Sequence, residues 1–322
     1  MDTDRAKLDP AVVGTGLCLL AAAGYTACGS FLRAVAVHSD PAWVSCIRTL
    51  PVVLASLVLI GHRAARGLPA WPPRRLLILL LLTGLFVQIG GNLSYQWALG
   101  QVGLAVTAPL IQGTMVVGGA LLGRVFLGES VTLRAAIAIL VLITGVVFLG
   151  TAAGTARISV EIGDAGAIST AYPALAVGAA CLAGTAYATV SVVIRRTVTR
   201  HASLSATLFV ISATGTVTLG SLSLWRLGSA ELLSTDATEF GYMLLAGIFN
   251  AVAFYSLSKG LQLIPVARVT ALTSSQLAMS ALVGILFFGE PWGSGLLIGT
   301  ALMITGLLFV HRSGRRAKKS HG

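Results

Sequence analysis

The stretch "LITGVVFLG" (residues 142–150) returns 161 positions later as "MITGLLFVH" (303–311), which lays Thr144 on Thr305, Gly145 on Gly306 and Phe148 on Phe309. The same shift lays "VFLGES" (125–130) over "LFFGEP" (286–291), with Phe126 on Phe287, Gly128 on Gly289 and Glu129 on Glu290. Upstream, a shift of 160 pairs Tyr95 with Tyr255 and Gly100 with Gly260. Near the start of each half a shift of 162 pairs Tyr25 with Tyr187 and Arg33 with Arg195. Three regions in register to within two residues make the chain two copies of one unit.

Composition says what that unit is. Of 322 residues, 56% are hydrophobic and 10% charged, with a mean hydropathy of +0.88; a soluble domain carries about 25% charged residues. The stretches from Ala11 to Leu32 and from Leu76 to Gly123 hold no charge at all. About 20 apolar residues span a bilayer as a helix, and backbone polar groups in lipid must be satisfied within the segment, which makes such runs helical. Runs bounded by charges, Pro or Gly give ten expected spans: 11–34, 41–61, 76–98, 102–126, 131–151, 173–194, 203–225, 240–261, 266–288 and 293–311. The expected fold is therefore an all-α integral membrane protein of ten transmembrane helices. Residues 11–151 form a first five-helix repeat and 173–311 a second, with a cytoplasmic N-terminus at 1–10, an external linker at 152–172 and a basic cytoplasmic tail at 312–322. Five is odd, so the second copy enters the membrane from the opposite side. Inverted-topology repeats of this kind rock against each other around a midplane site in secondary transporters.

The net charge of +11 is explained by position. With both termini inside, 18 Lys and Arg residues fall on the cytoplasmic side, against Arg33, Arg157 and Arg226 outside, while Arg48 lies within a span. That asymmetry fixes orientation, and the tail "HRSGRRAKKSHG" reads as an anchor near anionic headgroups; nucleic acid is not needed as a partner. The first apolar run is too long for a cleavable signal peptide. Cys18, Cys28, Cys46 and Cys181 all lie in apolar spans without metal-ligand spacing, so neither a metal site nor a disulfide framework is expected. No nucleotide-binding loop, H-E-x-x-H or G-x-S-x-G is present, so no cofactor and no catalytic residue is expected.

The two Gly-Glu pairs read as junctions between the fourth and fifth helix of each repeat: Gly suits a helix C-terminus and Glu the N-terminal dipole of the helix that follows. Both glutamates are expected at the interfaces, as caps and turn markers. All other acidic residues also fall outside the middle of the membrane, so no carboxylate relay for protons is visible.

At this point the chain resembles the drug/metabolite transporter superfamily, specifically its EamA-like branch. The resemblance spans roughly 11–311 and rests on the duplicated ten-span plan, on "DPAWVSCIRTLPVVLASLVL" with Arg48, on "YQWALGQVGLAVTAPLIQGTMVVGGALLGRVFLGE" and on "FFGEPWGSGLLIGTALMITGLLFV". It implies metabolite export across the inner or plasma membrane. Thr270 stands where a second-half counterpart of Pro109 would be, so the ninth span is expected to be straighter than the fourth.

Candidate binding residues are the polar groups at depth. Arg48 lies about 10 Å into its span at 1.5 Å per residue. An ionisable group there marks a functional site or a snorkelling arginine that bonds helix-end carbonyls; if functional, its planar fork of donors suits a substrate anion. Gln88, Asn92 and Gln96 recur at i, i+4 and i+8, one face of an α-helix, and amides are not left facing lipid. Gln112, Asn250 and Gln276 are further mid-span amides, which line a cavity or glue helices. Tyr25 and Tyr187, equivalent across the repeat, are candidate cavity aromatics. Pro109 is the expected helix break, since it frees the carbonyl of Ala105. The leading function is a secondary transporter of small polar or amphipathic metabolites, such as amino acids or related compounds. The alternatives are an integral-membrane enzyme acting on lipid-linked substrates or a non-transporting assembly component. The partners are a small-molecule substrate and the bilayer, and a monomer is consistent with the small-residue pairs Gly119–Gly123 and Gly295–Gly299.

Overall fold

A computed structural model of the chain describes residues 9–67, 71–127, 133–161, 171–198, 203–264 and 266–317, and every regular element among them is helical. α1 (Pro10–Val35) and α2 (Pro41–Ala65) open alike: Asp9 accepts from the Ala11 amide, Asp40 accepts from those of Ala42 and Trp43, and each helix has Pro at its first position. An aspartate cap satisfies amides that the helix leaves without partners, and Pro lacks one of them anyway. α3 (Arg74–Phe86) passes into a π-helical stretch, Val87–Leu93, and on into α4 (Ser94–Leu127). α5 (Leu133–Glu161), α6 (Ala171–Val198), α7 (Leu204–Leu233) and α8 (Ala237–Leu263) follow. Ser203 caps α7 through the Ala206 amide. Asp236 caps α8, and hydrogen bonds from the Thr238 side chain and backbone hold its carboxyl below the usual carboxylate range. α9 (Val266–Thr273), α10 (Ser275–Phe288) and α11 (Ser294–Ala317) complete the chain.

Six helical runs are long and apolar enough to cross a membrane, and Ala136–Thr151, Ser275–Phe288 and Ser294–Phe309 are shorter apolar helices. This is a multi-pass membrane protein. The longest run, Arg74–Phe126, covers 53 residues but is broken at Gly103, whose φ of 78° and ψ of 177° belong to a region open essentially only to glycine. Two helical pieces meet there.

This corrects the expected break at Pro109. That residue sits in helical backbone; its ring costs one ladder bond, a loss that membrane helices tolerate. The ninth span is likewise not the straighter one. α9 and α10 are separate helices meeting at Ser274, where the Thr273 and Ser275 hydroxyls bond the Val269 and Leu272 carbonyls, a competition that bends helices. α5 also runs ten residues past its expected end at 151.

The duplication is written into the packing. A Cβ at Gly145 would meet Gly299 O at 3.3 Å and Met303 Cε at 3.4 Å; one at Gly306, 161 residues on, would meet Ala138 O at 3.3 Å and Leu142 Cγ at 2.7 Å. Ala138 and Leu142 are themselves 161 residues before Gly299 and Met303. Gly24 abuts Ala253 as Gly91 abuts Ala186, and Gly84 meets Ile211 and Thr214 as Gly247 meets Arg48 and Pro51. Each contact recurs with the roles of the copies exchanged. α1 lies on α8, α4 on α6, α2 on α7 and α5 on α11, so the main packing seams join one copy to the other.

Candidate functional site

Arg48 is 7% exposed on α2. Its Nη2 donates to Asn92 Oδ1, which also accepts the Tyr187 hydroxyl of α6 at 2.7 Å. Asn92 Nδ2 donates to Gln88 Oε1 at 2.5 Å, and Gln88 Nε2 donates to the Ile211 carbonyl of α7 at 2.9 Å. A directed chain of donors thus runs from the guanidinium and the phenol through two amides to a backbone carbonyl, crossing from the first copy to the second. The Tyr95 ring lies 5.7 Å from Arg48 Cζ, close enough for a cation–π contact.

The π-helical stretch builds this group. A π turn moves the backbone ladder from i−4 to i−5, and two hydroxyls add bonds to carbonyls along it: Ser94 Oγ bonds Ile89 O at 3.2 Å, and Ser45 Oγ of α2 bonds Asn92 O at 3.3 Å. Gly90 and Gly91 fall inside the stretch, and a Cβ at Gly91 would lie 3.2 Å from Tyr187 Cε1; the missing side chain lets the tyrosine reach Asn92. Gly215 on α7 does the same for Gln88, whose amide occupies the place of its Cβ.

Electrostatically the group is one-sided. No carboxylate among the described residues lies in ion-pair range of Arg48; the ion pairs there are Arg33–Glu290 and Arg226–Asp40. A buried charge with neutral partners costs several kcal/mol unless hydrated or paired. Guanidinium carries five donors in a fixed fork, and Arg48 Nη2 uses one of them on Asn92.

The sequence reading placed Arg48, Gln88, Asn92 and Tyr187, and the structure joins all four. Gln96 turns elsewhere, donating to Leu32 O of α1 at 3.1 Å, because the π stretch breaks the helical phase that the i, i+4, i+8 pattern assumes. Gln112 and Gln276 bond each other at 3.3 Å between α4 and α10. Asn250 on α8 and Tyr25 on α1 are half-buried, and among the described residues no hydrogen bond ties either to the Arg48 group. Ser45, Tyr95 and the Ile211 carbonyl were missed. Ser45 sits three residues before Arg48, one helical turn away, and was within reach of that argument; Tyr95 and Ile211 depend on tertiary contact.

The expectation for Glu290 needs correction. Gly289 does end α10 in the left-handed region, with φ 61°. Glu290, however, is buried, and its carboxylate does not serve α11. It accepts from the amides of Leu104 and Ala105, where α4 restarts after Gly103, each at 2.7 Å, and from Arg33 Nε at 2.9 Å. A helix N-terminus elsewhere in the bundle offers the same bare amides and dipole as the following one. Glu129 lies outside the described residues.

An all-helical membrane bundle of two related halves, with a buried polar group spanning their seam, is the build of a transporter. The chain belongs to the EamA-like transporter family, whose sequence profile matches residues 12–151 and 174–312, one match per repeat. The family is of the drug/metabolite transporter type. No curated protein sequence matches the chain. Among 23 matching chains of solved structures, one described only as "Crystal structure of protein" superposes with a TM-score of 0.59 at 16% identity, covering 94% of this chain and 98% of its own. It is similar in fold.

Proposed function

We propose that the protein is a secondary transporter, an exporter of small metabolites bearing an anionic group, such as amino acids or related compounds. It works by alternating access between two inverted five-span repeats in the cell membrane, with both termini cytoplasmic. The observation that carries the reading is Arg48: a buried cation whose neighbours Asn92 and Tyr95 are neutral and which is joined through Asn92 to Tyr187 of the second half. A substrate carboxylate or phosphate supplies the absent counter-charge through two parallel N–H bonds, next to Tyr187, which shares the Asn92 acceptor with Arg48. Counting Arg74–Phe126 as two segments at Gly103 and the three shorter apolar helices as spans is compatible with a ten-span reading, and the reciprocal glycine contacts support a two-fold relation of the repeats. The Arg48 group contains no carboxylate or histidine, which favours equilibrative or exchange transport. No nucleophile–base pair accompanies Arg48, so the group fits binding better than catalysis.

The test is a substitution series at Arg48, read as transport per folded, detergent-extracted molecule. Arg48→Lys keeps the charge and loses the fork, so apparent affinity weakens with some transport left. Arg48→Gln falls further and Arg48→Ala furthest. Losing a charge-assisted hydrogen bond costs about 1.5–3 kcal/mol, or roughly ten- to a hundredfold in affinity. A normal normalised rate in Arg48→Ala removes Arg48 from the binding site.

A further inference from the structure

Outside the Arg48 group, the polar cluster that most needs explaining is the one around Glu290. Its carboxylate is 7% exposed and fully engaged: Oε1 takes Leu104 N–H and Arg33 Nε, and Oε2 takes Ala105 N–H. The surroundings are shaped to hold it. A Cβ on Gly103 or on Gly284 would collide with its oxygens, so both positions have to be glycine while the carboxylate is seated. The Glu290 amide is fixed to Gly284 O at 3.0 Å, and the Phe288 ring lies 5.7 Å from Arg33 Cζ. Glu290 belongs to the α10–α11 junction of the second copy, whereas Arg33 is on α1 and Leu104 and Ala105 are on α4, both in the first. Its three bonds therefore all cross the seam.

We propose that Glu290 is a latch that holds this end of the bundle shut and that opens when water replaces Arg33 and the two α4 amides. This rests on the alternating-access reading, in which the halves part at one end at a time. The chemistry of the contact suits a reversible closure. Carboxylate, guanidinium and helix-start amides are all strongly hydrated when released, so parting them exchanges bonds with the protein for bonds with water. Parting an apolar seam offers no such exchange. The latch also acts where the chain can yield: Glu290 follows the left-handed Gly289, and residues 289–293 between α10 and α11 are non-helical. On the other side of the seam the capped helix begins directly after the Gly103 break. In the sequence both latch residues have counterparts in the other copy, Glu129 and Arg195, whose side chains lie outside the described residues.

A native cysteine reports on the latch. Cys28 is 5% exposed on α1, little more than a turn before Arg33, and packs in one cluster with Leu32 and Leu104. Cys181 on α6 is half-buried and belongs to no latch contact. The full-length protein in lipid nanodiscs is treated with a hydrophilic maleimide, which reaches both faces, and the modification rate of each cysteine is read by peptide mass. Glu290→Gln keeps the size but loses the charge and its pairing with Arg33. Cys28 should then react roughly tenfold faster or more, the effect of one lost charge-assisted bond, while Cys181 is unchanged. Arg33→Lys keeps the charge and loses the Nε donor, and gives a smaller acceleration in the same direction; it serves as the test if Glu290→Gln does not fold. Unchanged Cys28 rates in folded variants overturn the latch and reduce Glu290 to a static cap. Acceleration of both cysteines together overturns it too, as general loosening. The labelling needs no substrate, so it stands apart from the Arg48 series: normal transport dependence on Arg48 with no change at Cys28 sinks the latch alone, and the reverse sinks the binding site alone.

Discussion

Asn92 decides how the cation is presented. Its Oδ1 accepts from both Arg48 and Tyr187 and its Nδ2 donates to Gln88, so the amide orients the guanidinium without neutralising it. Replacing it with aspartate tests that division of labour with a change of one atom. Asn92→Asp puts a carboxylate in the place of the amide, and the arginine gains the counter-ion that the wild-type group lacks. An incoming anion then has to displace a built-in one. Transport of anionic substrate is expected to fall roughly tenfold or more, while the folded protein survives in detergent, because pairing the buried charge offsets the lost donation from Asn92 Nδ2 to Gln88 Oε1. Retained affinity for the anion in Asn92→Asp places the substrate elsewhere. Arg48 and Asn92 were legible in the sequence because charge and amides at membrane depth are expensive wherever they occur. Glu290 was not. Its position beside a glycine and a proline fits a cap on the next helix equally well, and only the fold shows which amides it reaches.

The π-helical stretch is the element that makes the site, and nothing in the apolar pattern announces it. Gln88 and Asn92 are four residues apart, a spacing that suits an α-helix, and a stretch of Val, Ile and Leu is equally apolar in either geometry. The local hints are Gly90 and Gly91 together with Ser94, whose hydroxyl takes up the Ile89 carbonyl. The consequence is a phase difference. α3 packs through Gly84 on Ile211 and Thr214 of α7, while Asn92, within the π stretch, faces Arg48 of α2. Deleting Ile89, which is 51% exposed, lets the ladder close as ordinary α-helix and rotates one side against the other by about 100°. The α3–α7 contact and the Asn92–Arg48 bond then cannot both be met. The deletion is expected to abolish most transport per folded molecule while the helix content by circular dichroism stays close to that of the parent. Full transport in the deletion variant means that the π geometry is incidental to the site. The Gly103 break was hidden for a related reason: Pro109 is the obvious helix breaker by type, but a proline keeps a helical φ, whereas only the glycine at 103 can adopt φ 78°.

The duplication was legible because it is carried by small residues that packing cannot replace. Gly145 and Gly306 stand in register in the sequence and make reciprocal contacts across the seam, so the repeat and the packing are one fact seen twice. Orientation in the membrane is an electrostatic matter outside the fold, and the expectation of cytoplasmic termini rests on the basic residues, 18 on one side against 3 on the other in the proposed inverted arrangement. α7 allows a compact test, since its helix runs unbroken from the Ser203 cap to Gly228, whose φ of 79° and ψ of 165° interrupt it shortly before the end at Ser234. That piece extends about 36 Å at 1.5 Å per residue, enough to cross the hydrocarbon core, so the two serines are expected on opposite faces. In a background free of native cysteines, single cysteines at Ala156 and Ser234 are expected to react with an impermeant maleimide added to intact cells. One at Ser203 is expected to stay unlabelled until the cells are permeabilised, which distinguishes a cytoplasmic position from a merely buried one. The opposite pattern turns the molecule over. Labelling of Ser203 and Ser234 from the same side removes the odd number of spans per copy, and with it the inversion on which alternating access between the repeats depends.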